Sequence, residues 1–380
     1  MDGARNGQGF KNKLKRHKDA VLHLHSIDGA DGSILISGSA DHSVRVWDLK
    51  TNFLSQRIDI QRPTEDKIMK YKNSKGDPSF QKPDRVLMNK EYMLPRAKQN
   101  RFIICFCFKD QRIYTGYDDG LILCWNYETG EMVFPMIGHT NRVNCIVNTQ
   151  TQYMLSTSND CSIRQWDYES GVNTAIFKFG DPISVARVSS EYNMLFTASW
   201  DKMIRCIDLD SNKVMKTFIG SREAIKCLEI VDNFVFVAGT DPIIRSFNLA
   251  TGATKEYKGH KGWIYNIIFH GKRMFSGGDD RIVIIWDIET TNIVETLAGH
   301  MNGVTSLALC NGDLFSGSFD HYILQWDLED IEERIMEKEH MKAADIESKK
   351  LDVYWKVIEG NKKSKKSGAA KTKSPKKKKK

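Results

Sequence analysis

Apolar runs of three to seven residues recur along most of this chain, separated by clusters of Gly, Asp, Asn and Ser, the pattern of short strands joined by tight turns. The stretch from Ser316 to Asp327 shows the layout in full: the end of one strand, a turn at Asp320, and a second strand finishing in Trp326-Asp327. Six other places repeat it. Asp41 precedes Trp47 by six residues, as Asp119 does Trp125, Asp160 does Trp166 and Asp280 does Trp286; in two weaker copies Asp201 precedes Ile207 and Asp241 precedes Phe247. From Trp125 onward these closing positions are spaced by 41, 41, 40, 39 and 40 residues. A fixed period near 40, with three short strands before each closing residue and one after it, predicts an all-β, seven-bladed propeller of four-stranded antiparallel blades.

The repeats are expected to fill residues 10–328, after a polar, disordered 1–9. Phe10 to Leu14 resembles the short strand before each later Gly-His pair, and in a closed ring it would supply the last blade's outer strand and remove an exposed edge. Between Trp47 and Trp125 the step is 78 residues. Residues 61–98 lack the turn pattern and hold Pro63, Pro78, Pro83 and Pro95, so they read as an insertion between blades 1 and 2. After Asp327 the composition turns rich in Glu, Lys and Met, and a helical extension is expected over 329–360. Within it Leu351, Tyr354, Trp355 and Ile358 form an amphipathic stripe, while the alternation of Val353, Trp355 and Val357 also suits a strand. Residues 361–380 are a Lys-rich tail, disordered by composition.

Charge follows that division. The formal charge is +8, and 361–380 hold eleven Lys and no acid; subtracting those eleven from +8 leaves −3 on the rest. The tail suits a polyanion such as RNA, DNA or an acidic tubulin tail. The eight cysteines show no CxxC spacing and read as buried thiols of a reducing compartment. The longest apolar run, Phe102 to Phe108, is far too short to cross a bilayer, and no secretory leader is visible. The expected location is cytoplasmic, with nuclear or cytoskeletal sites as alternatives, and not secreted.

The pairs Gly138-His139, Gly259-His260 and Gly299-His300, with Trp47-Asp48, Trp166-Asp167, Trp286-Asp287 and Trp326-Asp327, resemble the WD40-repeat family. The resemblance covers residues from about 10 to 328 and implies hydrogen-bonded structural tetrads: His17/Ser37/Asp41/Trp47, His139/Ser156/Asp160/Trp166, His260/Ser276/Asp280/Trp286 and His300/Ser316/Asp320/Trp326. Buried indole, hydroxyl and imidazole groups each cost about 1–3 kcal/mol if unpaired, so such partners must come as a set. Four copies in equivalent places argue for glue, not a hydrolytic triad, and no catalytic set, metal site or cofactor is expected. His23 and His25 share a strand face but find no third ligand nearby in sequence. Repeats 4 and 5 lack the His and the Trp, so those blades are expected to be held more by apolar packing. The family's binding face implies a partner surface at Trp263, Tyr265, Phe319, Trp200, Phe102, Arg142, Asn144, Asn159 and Lys226, taking other proteins or peptides. The leading expectation is a non-catalytic scaffold. The alternatives are a ribonucleoprotein, chromatin or microtubule component placed by its tail, and a substrate receptor of a ubiquitin ligase. The WDxR signature of one such ligase group is missing, since Lys50, Glu169, Glu289 and Glu329 stand at its last place.

Overall fold

A computed structural model describes residues 9–29, 32–49, 53–59, 102–149, 151–189, 191–341, 347 and 349. The insertion, the 349–359 stripe (beyond residue 349) and the Lys-rich tail lie outside them. Seven four-stranded antiparallel sheets succeed one another along the chain, spanning 21–59, 103–136, 143–178, 183–219, 225–258 and 264–298, with a seventh built from 304–327. We call them blades 1 to 7 and their strands a to d in sheet order, a being the first of each blade. Blade 7 takes its strand d from the other end of the chain: Asn12–Leu14 pairs antiparallel with Ile323–Asp327, Asn12 opposite Gln325. Phe10 meets the Trp326 ring edge-on at 5.9 Å, and Asn12 Nδ2 donates to Gln325 Oε1 at 2.9 Å. The ring is thus closed by the segment that the sequence pattern assigned to it.

The core lies between neighbouring blades. Ile36, Val44 and Val46 of blade 1 pack on Ile103, Phe106, Ile113 and Trp125 of blade 2, and similar clusters join the later pairs. Both faces of each sheet are covered, which is why strands such as Ile282–Asp287 read as continuous apolar runs. Neighbouring blades approach closely at equivalent strand-b glycines: a Cβ on Gly317 of blade 7 would stand 2.8 Å from Val21 Cγ1 of blade 1, and one on Gly116 of blade 2 as close to Val143 Cγ1 of blade 3, so a side chain there would force the neighbour to shift.

Between strands b and c the turn is fixed by its aspartate. The Asp41 carboxylate accepts the Ser43 N–H at 3.0 Å, and Asp160, Asp201, Asp241 and Asp320 do the same for the residue two positions on. The residue after the aspartate has positive φ in six of the seven turns, from His42 at 64° to Gly120 at 88°. Blade 5 has Pro242 there, whose ring forbids that conformation, yet its strand c begins at Ile243, two residues after the aspartate as in blades 1, 3, 4 and 6.

A separate unit starts at Leu328. It is helical over 328–341, with Ile331 and Ile335 buried and Arg334 reaching back one turn to Asp330. No helix among the described residues is long and apolar enough to cross a membrane.

Candidate functional site

The tetrads come first because they set the geometry of the rest. In blade 6, Trp286 Nε1 donates to Ser276 Oγ at 2.7 Å, Ser276 Oγ lies 2.7 Å from His260 Nε2, and His260 Nδ1 lies 2.8 Å from Asp280 Oδ2. An ionised carboxylate only accepts, so Nδ1 carries the proton and Nε2 accepts from the serine. The chain of donation therefore runs one way, from indole to carboxylate. Blades 1, 3 and 7 repeat it through Trp47, Trp166 and Trp326, with Ser37, Ser156 and Ser316 as the central hydroxyls, at 2.7–3.1 Å throughout. Burial alone would raise the Asp41 and Asp160 carboxyls. Hydrogen bonds from His17 and His139, from Ser43 and Ser162 and from backbone amides outweigh it and hold both far below the usual carboxylate range. The His and Asp side chains are at most 9% exposed in all four blades, closed to any substrate.

Blades 4 and 5, expected to rely more on apolar packing, also have a polar substitute for the tetrad. Ile207 is indeed buried. However, Arg205 pairs with the Asp201 carboxylate, and Arg245 Nη1 sits 2.8 Å from Asp241 and 3.3 Å from Ser221 Oγ, with Nε 3.2 Å from Glu256. Ser221 occupies the place of the missing histidine, and a buried guanidinium does the imidazole's work.

The inner strands shape the mouth of the ring. Each strand a carries a β-bulge directly after its first residue, so that residue's successor has no partner across the ladder. A bulge re-aims the side chain it carries. The seven bulged residues are Leu22, Ile104, Asn144, Ser184, Lys226, Tyr265 and Thr305, and all seven line one cavity of about 600 Å³. Residues just before strand a (Ala20, Phe102, Arg142, Trp263) and just before the turn aspartate (Ala40, Asn159, Trp200, Phe319) complete the wall, with Asp19. All nine residues named from the sequence as a partner surface are among them. The sequence reading passed over Leu22, Ile104, Ser184 and Thr305, although the frame that picked out Tyr265 and Lys226 points to them equally.

The wall is uneven. Trp263 and Tyr265 meet edge-on at 6.5 Å and Tyr265 and Phe319 at 5.7 Å; Trp263 is 47% exposed and Trp200 50%. Lys226 Nζ stands 4.4 Å over the Trp263 ring. Burial pushes the Tyr265 hydroxyl up to about 12, with Asp279 adding to it. Not every member is free for a ligand: Asn144 Nδ2 donates to Asn159 Oδ1 at 2.7 Å and to the Ile183 carbonyl at 2.8 Å, tying blade 3 to blade 4. Phe102 stacks on His42 at 5.9 Å.

Below the cavity, Arg187 of blade 4 binds Glu229 of blade 5 at 2.6 Å. His23 is pushed down to about 3 by burial, then by His25 and Arg187, so it stays neutral. Among the described residues no group of three His, Cys, Asp or Glu side chains could hold a metal.

The family model "WD domain, G-beta repeat" matches residues 9–48, 130–167, 252–287 and 291–327, which are the four repeats that carry the tetrads. This is a WD40-repeat protein. The WD40 propeller is generally a non-catalytic interaction module. An uncharacterised WD repeat-containing protein of Schizosaccharomyces pombe is 28% identical over 50% of this chain and 56% of its own length, so the chain spans little more than half of that relative. Eukaryotic translation initiation factor 3 subunit I of Xenopus laevis is 26% identical over 66% of this chain and 75% of its own. Among solved structures, the WD40 propeller domain of Doa1 superposes with a TM-score of 0.65 at 22% identity, covering 84% of this chain and 96% of that one. That likeness speaks to fold alone.

Proposed function

We propose that this protein is a non-catalytic scaffold that grips partner proteins or peptides at the bulge-lined mouth of the propeller. The convergence of seven re-aimed side chains on one cavity, rimmed by half-exposed Trp263 and Trp200, carries this reading. Exposed aromatics beside a pocket are the usual anchors of a protein interface. The cavity is too open and its titratable groups too scattered for acid–base chemistry, and the four histidine–carboxylate pairs are sealed inside blades.

The test is affinity purification of the intact chain beside a Trp263→Ala/Phe319→Ala variant. A defined set of partners should be lost, consistent with anchors worth about 2 kcal/mol or more each, while the melting temperature stays put. Unchanged partners would end the assignment of this face.

A second reading rests on the eleven lysines of 361–380. In it the tail adds an electrostatic tether to a nucleic acid or tubulin surface, placing the protein in the nucleus or on the cytoskeleton. Deleting 361–380 should then release the protein at physiological salt without altering partners held by the propeller.

A further inference from the structure

The outer rim of the ring is guarded unevenly. In each sheet strand d pairs only with strand c, and such a bare edge invites another strand unless charge, proline or brevity spoils it. Blade 2 has Pro135 in that strand, blade 5 has Lys255, Glu256 and Lys258, and blade 7 offers three residues only. Blades 3 and 6 each show one exposed large apolar side chain there, Ile176 and Ile293. Blade 4 is different. Its strand d, Val214–Ile219, is exposed at five of its six positions, with Val214 at 48%, Met215 at 61% and Ile219 at 69%. Lys216 is its one charged residue. Apolar side chains on both sides of a bare edge describe a strand that still lacks a neighbour.

Which neighbour fits follows from the ladder. Gly220 N donates to the Lys202 carbonyl at 2.8 Å, so position 220 faces strand c. Alternation then turns the backbone of Phe218 and Lys216 toward strand c and leaves N–H and C=O of Thr217 and Ile219 on the open edge. Met215 is the extra residue of a bulge and has no partner in strand c. Two identical strands pair antiparallel about a two-fold axis normal to the sheet, so one residue must face itself. With Thr217 at the axis, open-edge groups meet open-edge groups and Ile219 stands opposite Met215 of the second copy. Lys216 stands opposite Phe218 of the second copy, a ring type its ammonium already approaches at 5.7 Å within its own strand. A slip of one residue would set Lys216 against Lys216 and bring together backbone groups already spent on strand c. We infer that two copies of this protein join edge to edge through strand d of blade 4, in the register that sets Thr217 opposite itself. The joint lies on the rim, whereas the bulged strand-a residues line the mouth, so both mouths stay open.

The experiment is sedimentation of the full chain across the micromolar range. One six-residue edge buries less than the about 1,200–2,000 Å² of a lasting interface, so a reversible dimer with a micromolar dissociation constant is expected. Met215→Lys/Ile219→Lys should raise that constant at least tenfold. Both side chains are exposed, so the melting curve should not move. Ile176→Lys, on the edge of blade 3, should leave the dimer as it was. Register is read by crosslinking. Residues facing each other in a hydrogen-bonded pair have Cα atoms about 5.5 Å apart, within reach of a disulfide. Mild oxidation should therefore yield a covalent dimer from Thr217→Cys, but not from Lys216→Cys or from the unaltered chain with its eight cysteines. A chain that stays monomeric throughout overturns the inference. So does a dimer that survives Met215→Lys/Ile219→Lys, or one that Ile176→Lys weakens equally, which would mark general apolar adhesion. Crosslinking at Lys216→Cys in place of Thr217→Cys overturns the register and the pairing argued from it. A monomer whose altered edge sheds a co-purified protein gives that edge to a foreign strand, and this too overturns self-pairing.

Discussion

Blades 1, 3, 6 and 7 hold their turn aspartate with a histidine; blades 4 and 5 hold theirs with an arginine. The two solutions differ in direction. The histidine comes from the linker ahead of strand a and links the turn carboxylate, through a strand-b hydroxyl, to the strand-c indole, so four parts of the blade share one hydrogen-bonded chain. Arg245 starts on strand c and spreads outward to the turn, to Ser221 of the linker and to Glu256 on strand d. What the fold requires is a donor for a half-enclosed carboxylate. It does not require an imidazole. Blade 1 carries both, with Arg45 3.6 Å from the same Asp41 that His17 contacts.

The sharpest way to test the contrast is to remove the closing side chains. Trp286→Ala should destabilise the ring by about 3–5 kcal/mol, because it opens a cavity and deprives the buried Ser276 Oγ of its indole donor. Phe247→Ala in blade 5, where that ring is only half-buried and bonds nothing, should be clearly milder. Urea unfolding of both variants makes the comparison, and equal losses would mean that the tetrad adds nothing beyond packing. Next in size is Arg245→Met, which leaves Asp241 buried without its cation, at a loss of about 3 kcal/mol. Adding Asp241→Asn should restore much of that, since the stranded charge is gone; strictly additive losses in this double-mutant cycle would break the ion-pair account.

The smallest effect is also the most selective. Burial lowers the pKa of His139, a pull that its hydrogen bond to Asp160 only partly opposes. A folded histidine value below the unfolded 6.5 gives stabilisation that is complete above pH 6.5 and is lost as the pH falls beneath it. The depressed Asp160 carboxyl adds a second loss, present above its ordinary 3.8 and fading as the pH drops below that. Blade 5 has no histidine at this place, Ser221 standing there instead. Between pH 6.5 and 4, amide exchange corrected for intrinsic rates should therefore quicken in blade 3 relative to blade 5. A constant ratio would show that the two kinds of blade respond to acid alike.

Much of this was readable in the chain. A six-residue step from turn aspartate to closing residue is a local feature, set by one turn and one strand, and it survives in all seven repeats, the closing residue being aromatic in all but the fourth. The N-terminal closing strand was legible because Leu14 to His17 repeats a pattern seen before His300. Arg205 and Arg245 were missed for a physical reason: a charged residue in a strand pattern reads as a solvent-facing position, and only the fold shows that it points at the turn behind it. The signal existed, since Asp and Arg stand four apart at Asp41/Arg45, Asp201/Arg205 and Asp241/Arg245. The bulges were invisible too. A one-residue irregularity in a ladder leaves no mark on hydrophobic periodicity. The surface they create was reached from the sequence only by resemblance.

Because residues 12–14 complete the sheet that ends at Asp327, the last blade is made from the first and the last pieces of the ring to be translated. During synthesis the leading segment must wait, unpaired, while more than 300 residues emerge behind it. Every earlier blade can find its neighbour in order, yet blade 1 and blade 7 meet only when the ribosome has finished with both, and until then two sheet faces stay open for chaperones or for misassembly.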